Sequence, residues 1–249
     1  MGGAGEPLVL LPGLMPEHGL GTGLTLTSHR LAAAAWARHR RVYYIDRRRA
    51  MAVGMTMAQI AAEHASLLAR LFGGPVDVVG ISTGGSVAQQ LAAQTPEAVR
   101  RLALISTAAR LGGPARTVQR RIAARIRAGA RAQAAAVFTA DLMPPGPLEL
   151  PAAAFGWLYG SVFARQEVLD DVAAMIEAED QFDLSMLPPV TAAALLVAGG
   201  RDRFYERALF GETAALIPGS QLRIYERHGH VSVAADPAVI AEVVRWMRS

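Results

Sequence analysis

The chain has 249 residues, of which 52% are hydrophobic and 18% are charged, so it has the composition of a folded globular protein rather than a disordered one. Cysteine is absent, which excludes disulfides, thiolate metal ligands and a cysteine nucleophile. The formal net charge is +4 and all basic residues are arginine, a compositional bias that makes the charge weak evidence for nucleic-acid binding.

Neither a membrane span nor a targeting segment is expected. The chain contains no uncharged apolar stretch of about 18 residues, the length that a spanning helix needs. Residues 1–6 lack a basic segment followed by an apolar run, which argues against a signal peptide. We therefore expect a cytoplasmic protein that binds no nucleic acid.

Short apolar segments alternate with helical segments along most of the chain. The predicted strands are residues 8–11, 42–46, 76–80, 102–106, 194–198 and 222–225. The predicted helices between and after them are residues 28–38, 57–72, 84–94, 207–216 and 237–247. This alternation predicts an α/β fold, in which a mostly parallel sheet of about six strands is flanked by helices.

Residues from about 111 to 187 interrupt the alternation, because they contain no strand signal. Val118, Ile122 and Ile126 recur at the spacing of an amphipathic helix. We interpret residues 111–188 as a helical cap inserted after the fourth strand, over a core formed by residues 1–110 and 189–249. The apolar side chains of this cap either pack internally or form the wall of a substrate pocket. The candidate pocket residues are Met15, Phe138, Trp157, Tyr159 and Phe204.

Arginine and acidic residues are separated in the middle of the chain. Residues 98–140 contain nine arginines and no acid, whereas residues 141–189 contain nine acids and one arginine. One interpretation of the arginine block is a docking face for an anionic partner, such as a carrier protein or a membrane surface. The other is a pair of solvated helical faces that partly neutralise each other. The adjacency of the two blocks favours the second.

Residues 80–84, Gly-Ile-Ser-Thr-Gly, match the pattern G-x-S-x-G. A predicted strand runs into this pattern and a predicted helix of small residues follows it, which is the context of a nucleophilic serine on a strained turn. Side chains at Gly80 and Gly84 would collide with neighbouring elements. The turn lifts the Ser82 hydroxyl clear of the sheet and leaves the Thr83 N–H free at a helix N-terminus.

A serine nucleophile needs a base and the base needs an orienting acid. His228 and His230 follow the last predicted strand, and Asp202 follows the strand before it, so all three belong to the carboxyl edge of the sheet. Gly229 favours His230 as the base, because a glycine lets the backbone turn the next side chain toward the nucleophile. His228 is then a rim residue. The histidines at 29, 39 and 64 are predicted to lie on the surface.

With these motifs the chain resembles the α/β-hydrolase superfamily of serine hydrolases over nearly its whole length, and residues 202–205 are similar to those of a group of actinobacterial hydrolases of undefined substrate. The resemblance implies that Ser82 is the nucleophile, His230 the general base and acid, and Asp202 the orienting carboxylate. It also implies an oxyanion hole formed by the N–H groups of Thr83 and Leu14. Neither a metal nor an organic cofactor is implied.

The sequence departs from the family pattern at three places. Pro12 stands where the family usually carries a histidine before Gly13, which weakens the assignment of Leu14 more than that of Thr83. Arg47, Arg48 and Arg49 replace a glycine-rich turn after the second strand, and we expect them to be solvated rather than to bind an acidic substrate. Only seven residues precede the first strand, too few for the hairpin that usually borders the sheet. We therefore expect six strands, all parallel, with the first strand near an edge.

The predicted function is hydrolysis of an ester, thioester or lactone with an apolar acyl part, through an acyl-enzyme intermediate. Two alternatives remain. The same residues could support carbon–carbon bond hydrolysis or cofactor-free perhydrolysis, which product analysis would distinguish. A non-catalytic ligand-binding protein of the same fold would fail to react with a serine-directed fluorophosphonate.

Overall fold

The computed structural model describes residues 3–19, 23–38, 40–143 and 146–248. Its centre is one sheet of six strands, all parallel, in the order β2-β1-β3-β4-β5-β6. The strands are β1 (Pro7–Leu11), β2 (Arg41–Tyr44), β3 (Val76–Ile81), β4 (Val99–Ile105), β5 (Ala193–Gly199) and β6 (Gln221–Tyr225). The expected six-stranded parallel sheet is confirmed, and β1 lies one strand in from the edge strand β2.

Ten α-helices accompany the sheet within the described residues. They are α1 (Gly23–Ala37), α2 (Met57–Phe72), α3 (Thr83–Gln94), α4 (Gly113–Arg127), α5 (Arg131–Asp141), α6 (Glu149–Val162), α7 (Gln166–Asp180), α8 (Arg207–Leu216), α9 (His230–Ala235) and α10 (Pro237–Trp246). None of the helices in the described ranges is long and apolar enough to cross a bilayer.

Both faces of the sheet are buried, because successive strand residues point to opposite sides. Val9 and Leu11 of β1 pack in one core with α2 and α3, whereas Leu8 and Leu10 pack in a second core with α1 and α10. The short apolar runs of the sequence follow from this double burial. They predicted the strands well because the four inner strands are mostly buried on both faces, whereas the edge strands β2 and β6 are only partly buried.

One helix and one strand begin earlier in the chain than the sequence predicts. Helix α1 begins at Gly23 rather than at residue 28, because glycine and threonine have low helix propensity and the sequence alone therefore favours a later start. Strand β4 begins at Val99 rather than at residue 102. Two arginines follow Val99, and one of them, Arg100, pairs at 2.8 Å with Asp77 of β3. Asp77 is fully buried and also pairs with Arg40 at 3.1 Å.

Helices α4 to α7 lie between β4 and β5 in the chain, where the sequence predicted a helical insertion. Arg120 of α4 pairs with Asp180 of α7 at 2.8 Å, and Arg127 pairs with Glu177 at 2.8 Å. Part of the arginine block is therefore neutralised by the acidic block that follows it in sequence. The boundaries of a cap at 111–188 and of a core at 1–110 and 189–249 stay a prediction.

Candidate active site

Ser82 lies between the end of β3 and the first residue of α3. Its backbone has φ 52° and ψ −124°, a conformation that L-residues rarely adopt. The Ser82 N–H donates to the carbonyl of Ile105 at 2.9 Å, so the turn is attached to the neighbouring strand β4. A strained turn of this kind presents the side chain above the carboxyl edge of the sheet.

Glycine is required on both sides of Ser82 because other chains pass too close for a side chain. A Cβ at Gly80 would lie 2.6 Å from the Cα of Gly85, and a Cβ at Gly84 would lie 2.3 Å from the carbonyl oxygen of Leu11. Both distances are shorter than any real contact to a Cβ. The two glycines of the G-x-S-x-G pattern are therefore needed because a larger side chain would collide with neighbouring backbone.

His230 connects Ser82 to Asp202. The Nε2 atom of His230 lies 2.9 Å from Ser82 Oγ, and its Nδ1 atom lies 2.8 Å from Asp202 Oδ2. With the proton on Nδ1, the imidazole donates to the carboxylate and accepts from the serine hydroxyl, which is the arrangement that a general base needs. The three residues come from the ends of β3, β5 and β6, as the sequence predicted.

Asp202 and His230 are held from several sides. The Asp202 side chain is fully buried, and its Oδ1 accepts from the N–H groups of Phe204 and Tyr205 at 2.8 and 3.2 Å. The Phe204 ring lies 4.6 Å from the imidazole, centroid to centroid. Ser106, after β4, donates from Oγ to the His230 carbonyl at 2.7 Å. The imidazole therefore has a fixed orientation.

His228 is excluded from this chain of hydrogen bonds. Its Nε2 lies 2.8 Å from Asp236 Oδ2, and its side chain is 25% exposed. The hydrogen bond from His228 lowers the pKa of the Asp236 carboxyl. His228 thus occupies the rim position that was expected of it.

The two expected oxyanion donors border the same small cavity. Thr83 and Leu14 line it together with Gly13 and Gly84. The Gly13 backbone passes against Ser82, because a Cβ built there would lie 3.2 Å from Ser82 Cβ. Thr83 is the first residue of α3, so its N–H has no partner within the helix. An acyl oxygen near Ser82 could reach this N–H.

An apolar cavity lies between the inserted helices and the loop after β1. Met15, Phe138 and Tyr159 line it, together with Leu14 and side chains of α4, α5 and α7. Two other expected pocket residues lie elsewhere. Phe204 packs on the His230 ring, and Trp157 points outward with 53% of its surface exposed. Trp157 and Tyr159 are two residues apart on α6, so they face different sides of the helix.

Two residues that the sequence predicts to be exposed are buried, so both predictions are wrong. His64 is buried on α2, where its Nδ1 lies 2.8 Å from the Ile60 carbonyl oxygen and burial lowers its pKa. Arg47 is also buried and donates to the Met15 carbonyl at 2.8 Å, whereas Arg48 and Arg49 are exposed as expected. Arg47 is buried because the loop after β2 folds under the loop after β1, a contact that the sequence does not reveal.

Sequence reasoning missed one buried acid beside the site, Glu179 of α7. Its carboxylate accepts from the Thr83 hydroxyl at 2.8 Å. Glu179 is one acid among nine in residues 141–189, and nothing in the sequence distinguishes it. No group of three or more potential metal-ligating His, Asp or Glu side chains exists among the residues described.

Comparison with known proteins decides the family. A family model described as "Alpha/beta hydrolase family" matches residues 8–243. The chain belongs to the alpha/beta hydrolase family. No curated protein matches this alpha/beta hydrolase.

Solved structures of similar fold include other hydrolases. An enol-lactonase from Burkholderia xenovorans LB400 is 25% identical with a TM-score of 0.77, covering 100% of this chain and 95% of that one. A hydrolase from Pseudomonas aeruginosa PA01 is 27% identical with a TM-score of 0.72, covering 100% and 92%. An esterase from Exiguobacterium antarcticum is 19% identical with a TM-score of 0.76, covering 99% and 93%, and that likeness shows the fold alone.

Proposed function

We propose that this alpha/beta hydrolase cleaves a carboxylic ester, thioester or lactone by two-step acyl transfer. The observation that carries the proposal is the continuous hydrogen-bonded chain Ser82–His230–Asp202, with contacts of 2.9 and 2.8 Å. The similarity to an enol-lactonase at 25% identity adds support for an ester-like bond. We also propose that residues 111–188 act as a cap that covers the acyl part of the substrate.

In the first step His230 Nε2 takes the proton of Ser82 Oγ as this oxygen attacks the substrate carbonyl. Negative charge develops on the carbonyl oxygen, and the N–H groups of Thr83 and Leu14 stabilise it. A donor of this kind contributes about 3 kcal/mol to transition-state stabilisation. His230 then gives the proton to the leaving alcohol or thiol, and the acyl-enzyme forms.

In the second step His230 takes a proton from the water that attacks the acyl-enzyme, the bond from the acyl carbon to Ser82 Oγ breaks, Ser82 Oγ takes the proton from His230, and the free acid leaves. Asp202 keeps the proton on Nδ1 and stabilises the imidazolium in both steps. The acyl group lies in the apolar cavity bordered by Leu14, Met15, Phe138 and Tyr159. Because this cavity is lined almost wholly by apolar side chains, it suits an apolar acyl group.

The test compares wild type and Ser82→Ala on chromogenic esters, acyl thioesters and lactones of graded chain length. We expect wild type to hydrolyse at least one class and to react with a fluorophosphonate at Ser82. Ser82→Ala should lose about 10³-fold or more in kcat while it keeps its melting temperature. A folded wild type that hydrolyses none of these and takes no label would contradict the proposal, as would substantial turnover by Ser82→Ala.

A further inference from the structure

Glu179 is a carboxylate with no contact to solvent, and the proposed mechanism does not use it. Three side-chain groups donate to it: Thr83 Oγ1 and Ser86 Oγ, each at 2.8 Å, and Gln119 Nε2 at 3.1 Å. Within the described part of the chain no arginine forms an ion pair with it. A buried acid without a cationic partner is costly, so a purely structural position would favour an apolar residue.

The donors of Glu179 come from the segment that carries the nucleophile. Thr83 and Ser86 are three positions apart and therefore lie on the same face of the first turn of α3. Oε2 accepts from Thr83 and Oε1 accepts from Ser86, so a single carboxylate spans this turn. Thr83 also carries the N–H that the proposed mechanism assigns to the oxyanion hole. Its side chain holds the backbone of that donor in place.

The other side of the contact lies in the inserted helices. Glu179 is in the last turn of α7, and Gln119 comes from α4. Leu169 and Val172, on the same helix as Glu179, line the apolar cavity. Glu179 thus joins the helices that form the acyl cavity to the turn that would carry the reacting serine.

We propose that Glu179 is a positioning residue for acyl transfer, which fixes the Thr83 N–H and the Ser82 turn against the inserted helices through its hydrogen bonds to Thr83 and Ser86. This inference rests on the proposed function. Burial, the largest influence, raises the pKa of Glu179, and the hydrogen bonds from Ser86, Thr83 and Gln119 oppose that rise. Because the role assigned to Glu179 is hydrogen bonding, a neutral side chain of the same shape should preserve most of the activity.

The test measures kcat, KM and the fluorophosphonate reaction rate in Glu179→Ala and Glu179→Gln, each per competent site counted by the amount of label bound. Glu179→Ala should lose about tenfold to a hundredfold in kcat per site, since small displacements of catalytic groups cost this much. KM should change less than kcat, and the labelling rate should fall with kcat. Glu179→Gln should retain at least about a third of wild-type kcat, because glutamine can accept from Thr83 and donate to Ser86.

Asp171→Ala is the matched control. Asp171 is also a buried acid of α7, and it also joins α7 to a loop of the core, by accepting from the N–H groups of Ala50 and Met51 at 3.0 and 2.6 Å. Asp171 also pairs with His18 at 2.7 Å, and among the described residues none of its hydrogen bonds goes to α3. Its removal should lower the melting temperature while kcat per labelled site stays within about threefold of wild type.

Several results would overturn the inference. They are an unchanged kcat per site in Glu179→Ala, an equal loss in Asp171→Ala, and a Glu179→Gln variant no better than Glu179→Ala. If Glu179→Ala does not fold, Thr83→Val removes only the hydroxyl that contacts Glu179, and it too should lower kcat per site. A wild type that neither hydrolyses esters nor takes the label would instead refute the proposed function.

Discussion

Ser82 and Ser106 share a positive φ of 52°, at the carboxyl ends of the neighbouring strands β3 and β4. Each follows an isoleucine and precedes a threonine. The Ser82 hydroxyl is aimed at His230 Nε2, whereas the Ser106 hydroxyl donates to the backbone carbonyl of the same histidine. Ser82 would give its proton to the His230 side chain, whereas Ser106 fixes the His230 backbone by a hydrogen bond.

Two substitutions of Ser106 distinguish the effect of this hydrogen bond on activity from the effect of the positive φ on stability. Ser106→Ala and Ser106→Gly both remove the donor to the His230 carbonyl, so we expect kcat to fall about fivefold in each. Only glycine relieves the positive φ, by about 1 kcal/mol, so the melting temperature of Ser106→Gly should exceed that of Ser106→Ala. Ester hydrolysis and thermal unfolding test the two effects. Equal stability of the variants would mean that the turn is not strained.

Replacement of each histidine after β6 tests the assignment of the base. His230→Ala should abolish hydrolysis, because no other base lies within hydrogen-bonding distance of Ser82 in the described structure. His228→Ala should keep at least about a tenth of wild-type kcat/KM, a loss of no more than about 1.4 kcal/mol. The reverse order of the two activities would show that His230 is not the base.

Substitution of Phe138 and substitution of Trp157 should differ in their effect on the preference for long-chain over short-chain esters. Phe138 lines the apolar cavity, so Phe138→Ala should enlarge it and raise the kcat/KM ratio of long-chain to short-chain esters about tenfold. Trp157 is 53% exposed, so Trp157→Ala should leave that ratio unchanged. A series of p-nitrophenyl esters measures both ratios. A shift in the Trp157 variant alone would place the acyl group on the opposite side of α6.

Glu179 should make the protein less stable as pH rises. Burial raises its pKa above the ordinary value of 4.5, so the folded state keeps the proton to a higher pH than the unfolded state does. Between these two pKa values the folded protein binds more protons, and the free energy of unfolding falls with increasing pH. Relative to Glu179→Gln, wild type should therefore lose stability as pH rises from about 4.5. Denaturant unfolding at several pH values tests this, and a constant difference between the two proteins would contradict it.

The sequence was sufficient for the sheet and for the residues grouped around Ser82. Strands buried on both faces appear as short apolar runs, and the Ser, Asp and His positions each follow such a run. Long-range burial was not predictable in the same way. Glu179, Arg47 and His64 are polar residues whose burial depends on partners far away in the chain. The Ile-Ser-Thr of residues 81–83 recurs at residues 105–107, and this repeat is a local sequence signal for the second turn with a positive φ.

The fully buried Asp77 carboxylate and its buried partner Arg40 lie at the end of the sheet opposite to Ser82. Ser82 comes five positions after Asp77, a distance of about 16 Å along an extended strand. Removal of a partner from such a buried pair typically costs about 3–5 kcal/mol of folding free energy, a penalty borne by the whole domain and not by the chemistry. The ion pairs of Asp77 and the proposed chemistry at Ser82 thus lie at opposite ends of the same strand. We expect a substitution near Asp77 to change thermal stability and to leave the proposed chemistry at Ser82 in place.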